Sequence, residues 1–172
     1  MSIRGISVRQ ALVVAVAAVM VVVPASTALA HGGPAESFTV VMKDVAMVFP
    51  DANPCTGAPG TVSSTESGVF HITVHPDGHL HLTGTFTAPF VFTPDDSSEP
   101  TYTGRYTVWF GENHNSGMAN ATFTFSVRAV GSDGSRLVFT TVSHITAATI
   151  DFSTDPPTLT DVKVAFDKAT CH

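Results

Sequence analysis

The chain has 172 residues, with eight Lys and Arg against 14 Asp and Glu, a formal net charge of −6, and 44 % hydrophobic residues. That length suits one domain, and the acidic balance argues against nucleic acid or anionic lipid as partners, since both demand clustered Lys and Arg. Two cysteines far apart are a poor start for a zinc site, which usually shows close-spaced pairs.

Taken in chain order, the first segment is a leader. Arg4 and Arg9 precede an unbroken apolar run from Ala11 to Val23, Pro24 breaks it, and Ala28 and Ala30 place small residues before a cleavage point. The run is too short for a membrane span and has the pattern of a secretory signal peptide over 1–30. The expected mature protein is a single β domain over 31–172, secreted and extracellular, with no membrane span. Losing Arg4 and Arg9 leaves six basic residues against 14 acids, a formal charge of −8. In an oxidising compartment Cys55 and Cys171 are expected to form a disulfide. Closing so long a loop contributes about 4 kcal/mol on the chain-entropy argument.

From Ser37 the chain reads as β segments joined by turns. Ser37–Phe49 is the first. Pro50–Ser67, rich in Pro, Gly and Ser, reads as a long loop carrying Cys55. Gly68–His75 and His79–Phe92 flank Pro76-Asp77-Gly78, in which Pro presets φ and Gly accepts the left-handed position of a tight hairpin. An acidic loop follows over Pro94–Pro100. Thr101–Gly111 is a strand holding the only Trp, Trp109, and Glu112–Met118 reads as a loop. Asn120–Val130 and Arg136–Ala147 flank a second hairpin signal, Gly131-Ser-Asp-Gly-Ser135. Thr149–Phe152 and Val162–Asp167 complete the set.

A two-residue period sorts these segments into faces. Phe70, Ile72, Val74, Leu80, Leu82, Phe86, Phe90 and Phe92 fall on one face, and His71, Thr73, His75, His79, His81, Thr83 and Thr85 on the other. Tyr102, Tyr106, Val108 and Phe110 continue the first pattern, as do Phe123 and Phe125. Half-buried antiparallel strands alternate in this way. The fold class expected is all-β: an antiparallel up-and-down barrel of seven to eight strands, closed to hide its edges, with a two-sheet sandwich as the alternative. Gly84 and Gly104 on the apolar face suit sharp bending or room for a ligand.

Four groups of residues could carry function. The first is the hairpin imidazoles: a three-residue turn sets His75 opposite His79 and Thr73 opposite His81, so His71, His75, His79 and His81 emerge together and could chelate Cu or Zn. Polar residues on a wet face are the bland reading. The second is His31, which would be the mature N-terminus and could bind copper through its α-amine and imidazole. In the third, Glu112 and His114 could act as acid and base from a loop, although Asn and Gly there equally build a solvated turn. The fourth is the aromatic face itself, where Phe86, Tyr102, Tyr106 and Phe123 would line a small apolar pocket at a barrel mouth or simply fill it. No nucleophile elbow, phosphate loop or His-Glu-x-x-His pattern is present.

The stretch Thr101-Tyr-Thr-Gly-Arg-Tyr-Thr-Val-Trp-Phe-Gly-Glu-Asn113, with Ala121-Thr-Phe-Thr-Phe125 and Gly131-Ser-Asp-Gly-Ser135, resembles small exported proteins of high-GC Gram-positive bacteria over roughly the C-terminal two-thirds. That resemblance implies export and carries no activity. The layout is also similar, in architecture alone, to lipocalin-type, avidin-type and allene-oxide-cyclase or dirigent barrels; it lacks the lipocalin Gly-x-Trp near the mature start. These readings converge on a secreted binding protein rather than an enzyme, with a small apolar molecule or an extracellular surface partner as ligand. A metal-binding protein, a barrel-type isomerase and a structural envelope component are the alternatives.

Overall fold

The computed structural model describes residues 34–115, 118–147, 149–151, 158–160 and 163–171. The leader segment and His31 lie outside them. The strands among these residues are β1 (Glu36–Ala52), β2 (Pro59–Val74), β3 (Leu80–Pro94), β4 (Tyr102–Asn115), β5 (Met118–Gly131), β6 (Arg136–Ala147), β7 (Thr149–Asp151), β8 (Thr158–Thr160) and β9 (Lys163–Cys171). Seven form one antiparallel meander in the order β1-β2-β3-β4-β5-β6-β9, and β7 and β8 pair separately. No helix among the described residues is long and apolar enough to cross a membrane.

The expected closure is not formed. β1 and β9 are the edges of an open sheet, with no ladder between them among the described residues. Nor is the architecture a sandwich, because the seven long strands belong to a single sheet. A covalent clasp stands in place of the closing ladder. Cys55 and Cys171 are disulfide-bonded with their Cα atoms 5.8 Å apart, across a separation of 116 positions. The bond ties the β1–β2 connection to the last residue of β9, so the two extremes of the strand order meet at one end. Asn53 prepares this meeting: its buried Oδ1 accepts the Cys55 and Thr56 amides at 2.9 and 3.3 Å, an Asx turn that presents the cysteine.

Two hairpins repeat one design. His75 N donates to His79 O and Gly78 N to His75 O, as Gly131 N does to Ser135 O and Gly134 N to Gly131 O. Gly78 and Gly134 take φ of 83° and 84°, the left-handed region that only glycine enters freely. The three-residue turn sets Thr73 opposite His81 and His71 opposite Thr83, as expected.

Two expected loops are strand. Pro50–Ser67 contains only a short connection, because β2 begins at Pro59 and Val62, Ser64 and Glu66 already face inward. Glu112–Met118 likewise extends β4 and opens β5. In both places polar residues occupy inward positions and hide the alternation.

β1 carries one irregularity. Met42 pairs with Gly68 and Val45 with Glu66, so Lys43 and Asp44 form a bulge. Asp44 adopts φ 52°, its amide donates to Ser67 Oγ at 3.0 Å, and that hydroxyl donates back to Asp44 Oδ1 at 3.2 Å. A bulge shifts the two-residue period by one. Val40 and Met42 face inward before it; Met47, Phe49 and Asp51 do so after it, where Asp51 stands opposite Gly60.

Candidate functional site

The inner face is aromatic through its middle. Phe70 on β2 contacts Phe110 on β4 at 5.7 Å between centroids, across β3, because Gly84 lies between them. A Cβ at Gly84 would stand 2.7 Å from Phe110 Cζ and 2.8 Å from Phe70 Cδ1. The space left by this glycine is thus taken by rings. Phe123 stacks on Phe110, and Tyr106 packs against Phe86, Phe90 and Phe125. These rings belong to the buried core: Phe70 is 3 % exposed, Phe86 7 % and Phe110 9 %.

Of the residues expected to line a pocket, Phe86 and Tyr106 are in edge contact at 6.3 Å, and Phe123 joins them through Phe110 and Phe70. Tyr102 stands apart, where its hydroxyl accepts a hydrogen bond from Ser135 Oγ at 3.2 Å.

Beside the rings lies a polar cluster. Glu66, Ala88 and Tyr106 occupy one inward row on β2, β3 and β4, with Ala88 directly paired to Tyr106. Alanine is short enough for the tyrosine to lie across β3. Tyr106 Oη donates to Glu66 Oε1 at 2.5 Å and sits 3.0 Å from Ser64 Oγ. The phenol has one hydrogen and gives it to the carboxylate, so Ser64 supplies its own hydroxyl hydrogen to Oη. Desolvation, together with the Glu66 hydrogen bond, pushes the Tyr106 phenol well above the ordinary tyrosine range, and the charge of Asp51 adds to this. Burial likewise raises the Glu66 carboxyl, partly offset by the Tyr106 hydrogen bond. It raises Asp51 too, partly offset by the Ala52 amide, which donates to Oδ1 at 2.8 Å. Such carboxyls gain most from a hydrogen-bond donor or cation brought to them in the dry.

Glu112 is no loop residue. It is an inward position of β4, only 4 % exposed, paired with Leu82 and Ala121. His114 follows in the same strand opposite Leu80 and Ala119. The hairpin imidazoles are on the outer face, and three of them stand beside a local partner. His71 Nδ1 is 3.1 Å from Thr39 Oγ1, His81 Nδ1 is 2.6 Å from Asn113 Oδ1, and His79 Nδ1 is 3.4 Å from Asp77 Oδ2. Among the described residues no three His, Cys, Asp or Glu side chains gather as a metal-binding group.

Sequence reasoning missed Asp51, Ser64 and Glu66. One signal was available: counting the two-residue period of Phe70 and Ile72 backwards through Gly68 puts Glu66, Ser64 and Val62 on the inner face. Comparison with protein families, with curated proteins and with solved structures yields no match.

Proposed function

We propose that this is an exported binding protein whose inner face takes a small apolar or aromatic molecule, with the polar end of that molecule against Glu66 and Asp51. The observation that carries this reading is the convergence of Glu66, Ser64 and Tyr106, with Asp51 near, beside a row of buried aromatic rings. An apolar lining with a few convergent polar groups and shifted carboxyls is the usual anatomy of a small-molecule site. A weakly basic aromatic ligand suits it best, since an amine brings both a donor and a positive charge to two desolvated carboxyls.

The test is a thermal-shift and fluorescence titration with 1-naphthylmethylamine, set against naphthalene as an arene without the amine. Binding raises Tm. Glu66→Gln should weaken the amine and leave naphthalene unchanged. No shift with either compound would end this reading.

A further inference from the structure

The outer face has an unusual charge distribution. On β2 to β6 the outward positions, from Thr61 through Thr146, contain no Asp or Glu at all. Acids of these strands point inward, as Glu66 and Glu112 do, or crowd the turns, as Asp77, Asp95, Asp96, Glu99 and Asp133 do. The outward positions carry mainly Thr, Ser and His, together with Arg105, Arg128 and Arg136. These three are all the arginines beyond the leader segment.

The register gathers them. Arg105 on β4 is paired directly with Arg128 on β5. Arg136 on β6 pairs with Val130, one outward step from Arg128, and so is its diagonal neighbour. Directly opposed side chains have Cβ atoms about 5 Å apart, and like charges at that spacing are destabilising. Among the described residues no hydrogen bond or ion pair engages the guanidinium of any of the three. An acidic protein that sets its arginines side by side, unpaired, on a carboxylate-free surface has built a receptor for anions.

The same strand supplies a second contact. Trp109 lies four residues from Arg105 on the outward side of β4, the middle strand of the sheet, and is 48 % exposed. Its cross-strand neighbours are Thr85 and Thr124, and its neighbours along β4 are Thr107 and Gly111. Beside Gly111 a Cβ would meet nothing closer than Thr83 Cγ2 at 3.8 Å. None of these neighbours is tall enough to shield the indole. Four residues of strand set it about 13 Å from the arginine pair, a span that a short oligosaccharide bridges. Hydroxyls fill the interval and extend across the sheet as the row Ser67, Thr87, Thr107, Ser126 and Thr140.

We infer that this face binds an acidic polysaccharide: a sugar ring lies on Trp109, the threonine hydroxyls meet its hydroxyls, and a uronate carboxylate sits between Arg105 and Arg128. Charge complementarity selects the glycan's acidity, and the exposed indole selects its ring.

Trp109 is the only tryptophan, so its emission reports the contact directly. The purified protein is titrated with polygalacturonate, its fully methyl-esterified form and a single-stranded polynucleotide. Polygalacturonate should change the emission, salt should weaken it, and the esterified polymer should bind roughly tenfold less tightly or worse. Arg105→Ser/Arg128→Ser should lose roughly tenfold or more and should fold at least as well, since it removes a repulsion. Trp109→Ala, followed by affinity electrophoresis, should lose the neutral part of the binding. Equal affinity for the esterified polymer, undiminished binding by the arginine variant, tighter binding of the polynucleotide, or no emission change would each overturn the assignment.

Discussion

Tyr106 on β4 reaches over β3 to give its phenolic hydrogen to Glu66 on β2 at 2.5 Å, and it can do so because the residue beneath it is Ala88, which is completely buried. The contact joins the aromatic and acidic parts of the inner face through a polar group that skips a strand. Enlarging Ala88 tests it. Ala88→Leu should cost about 1–3 kcal/mol by overpacking, read from urea denaturation. It should also return Tyr106 toward the ordinary tyrosine pKa, read from phenolate absorbance in alkali.

Stability should fall as pH rises through the mildly acidic range. Burial raises Glu66 above 4.5 and Asp51 above 3.8 in the folded chain. Carboxyls raised by folding favour the protonated native state, so their contribution is complete below the unfolded values and is lost as pH climbs through the folded ones. Urea midpoints measured from pH 4 upward should therefore decline, and Glu66→Gln should flatten the decline. Tyr106→Phe should steepen it, because the phenol's hydrogen bond is what holds Glu66 down.

Two glycines on opposite faces should respond oppositely to the same change. Gly84→Ala drives a methyl into Phe70 and Phe110 and should cost about 1–3 kcal/mol. Gly111→Ala places one in ordinary van der Waals contact with Thr83 and should be neutral or stabilising by up to about 1 kcal/mol. Parallel denaturation curves with unchanged slope would separate the two.

Cutting the clasp should loosen the edges first. Cys55→Ala/Cys171→Ala should cost about 2–5 kcal/mol, with amide exchange accelerating most in β9 and at the β1–β2 connection. Acceleration confined to the middle strands would mean that the disulfide does not hold the edges together.

Much of the fold was legible because the two-residue period is local. Phe70 against His71, Tyr106 against Thr107 and Phe123 against Thr124 announce their faces without reference to anything distant. The turn residues Gly78 and Gly134 announce their hairpins in the same way, since a positive φ is a property of one residue. What stayed hidden depends on partners from other strands. Ser64 and Glu66 read as loop because burying a hydroxyl or a carboxyl is favourable only once a partner such as Tyr106 is supplied, and the register supplies it from a separation of 40 positions. The bulge at Asp44 turns Asp51 inward by a shift that no local pattern encodes. Net charge marked the chain as acidic, yet pairing alone brings Arg105 beside Arg128. Closure was the most distant property of all: alternation requires a curved sheet with a dry side, and whether its edges pair or are only clasped is decided by how far the whole sheet turns.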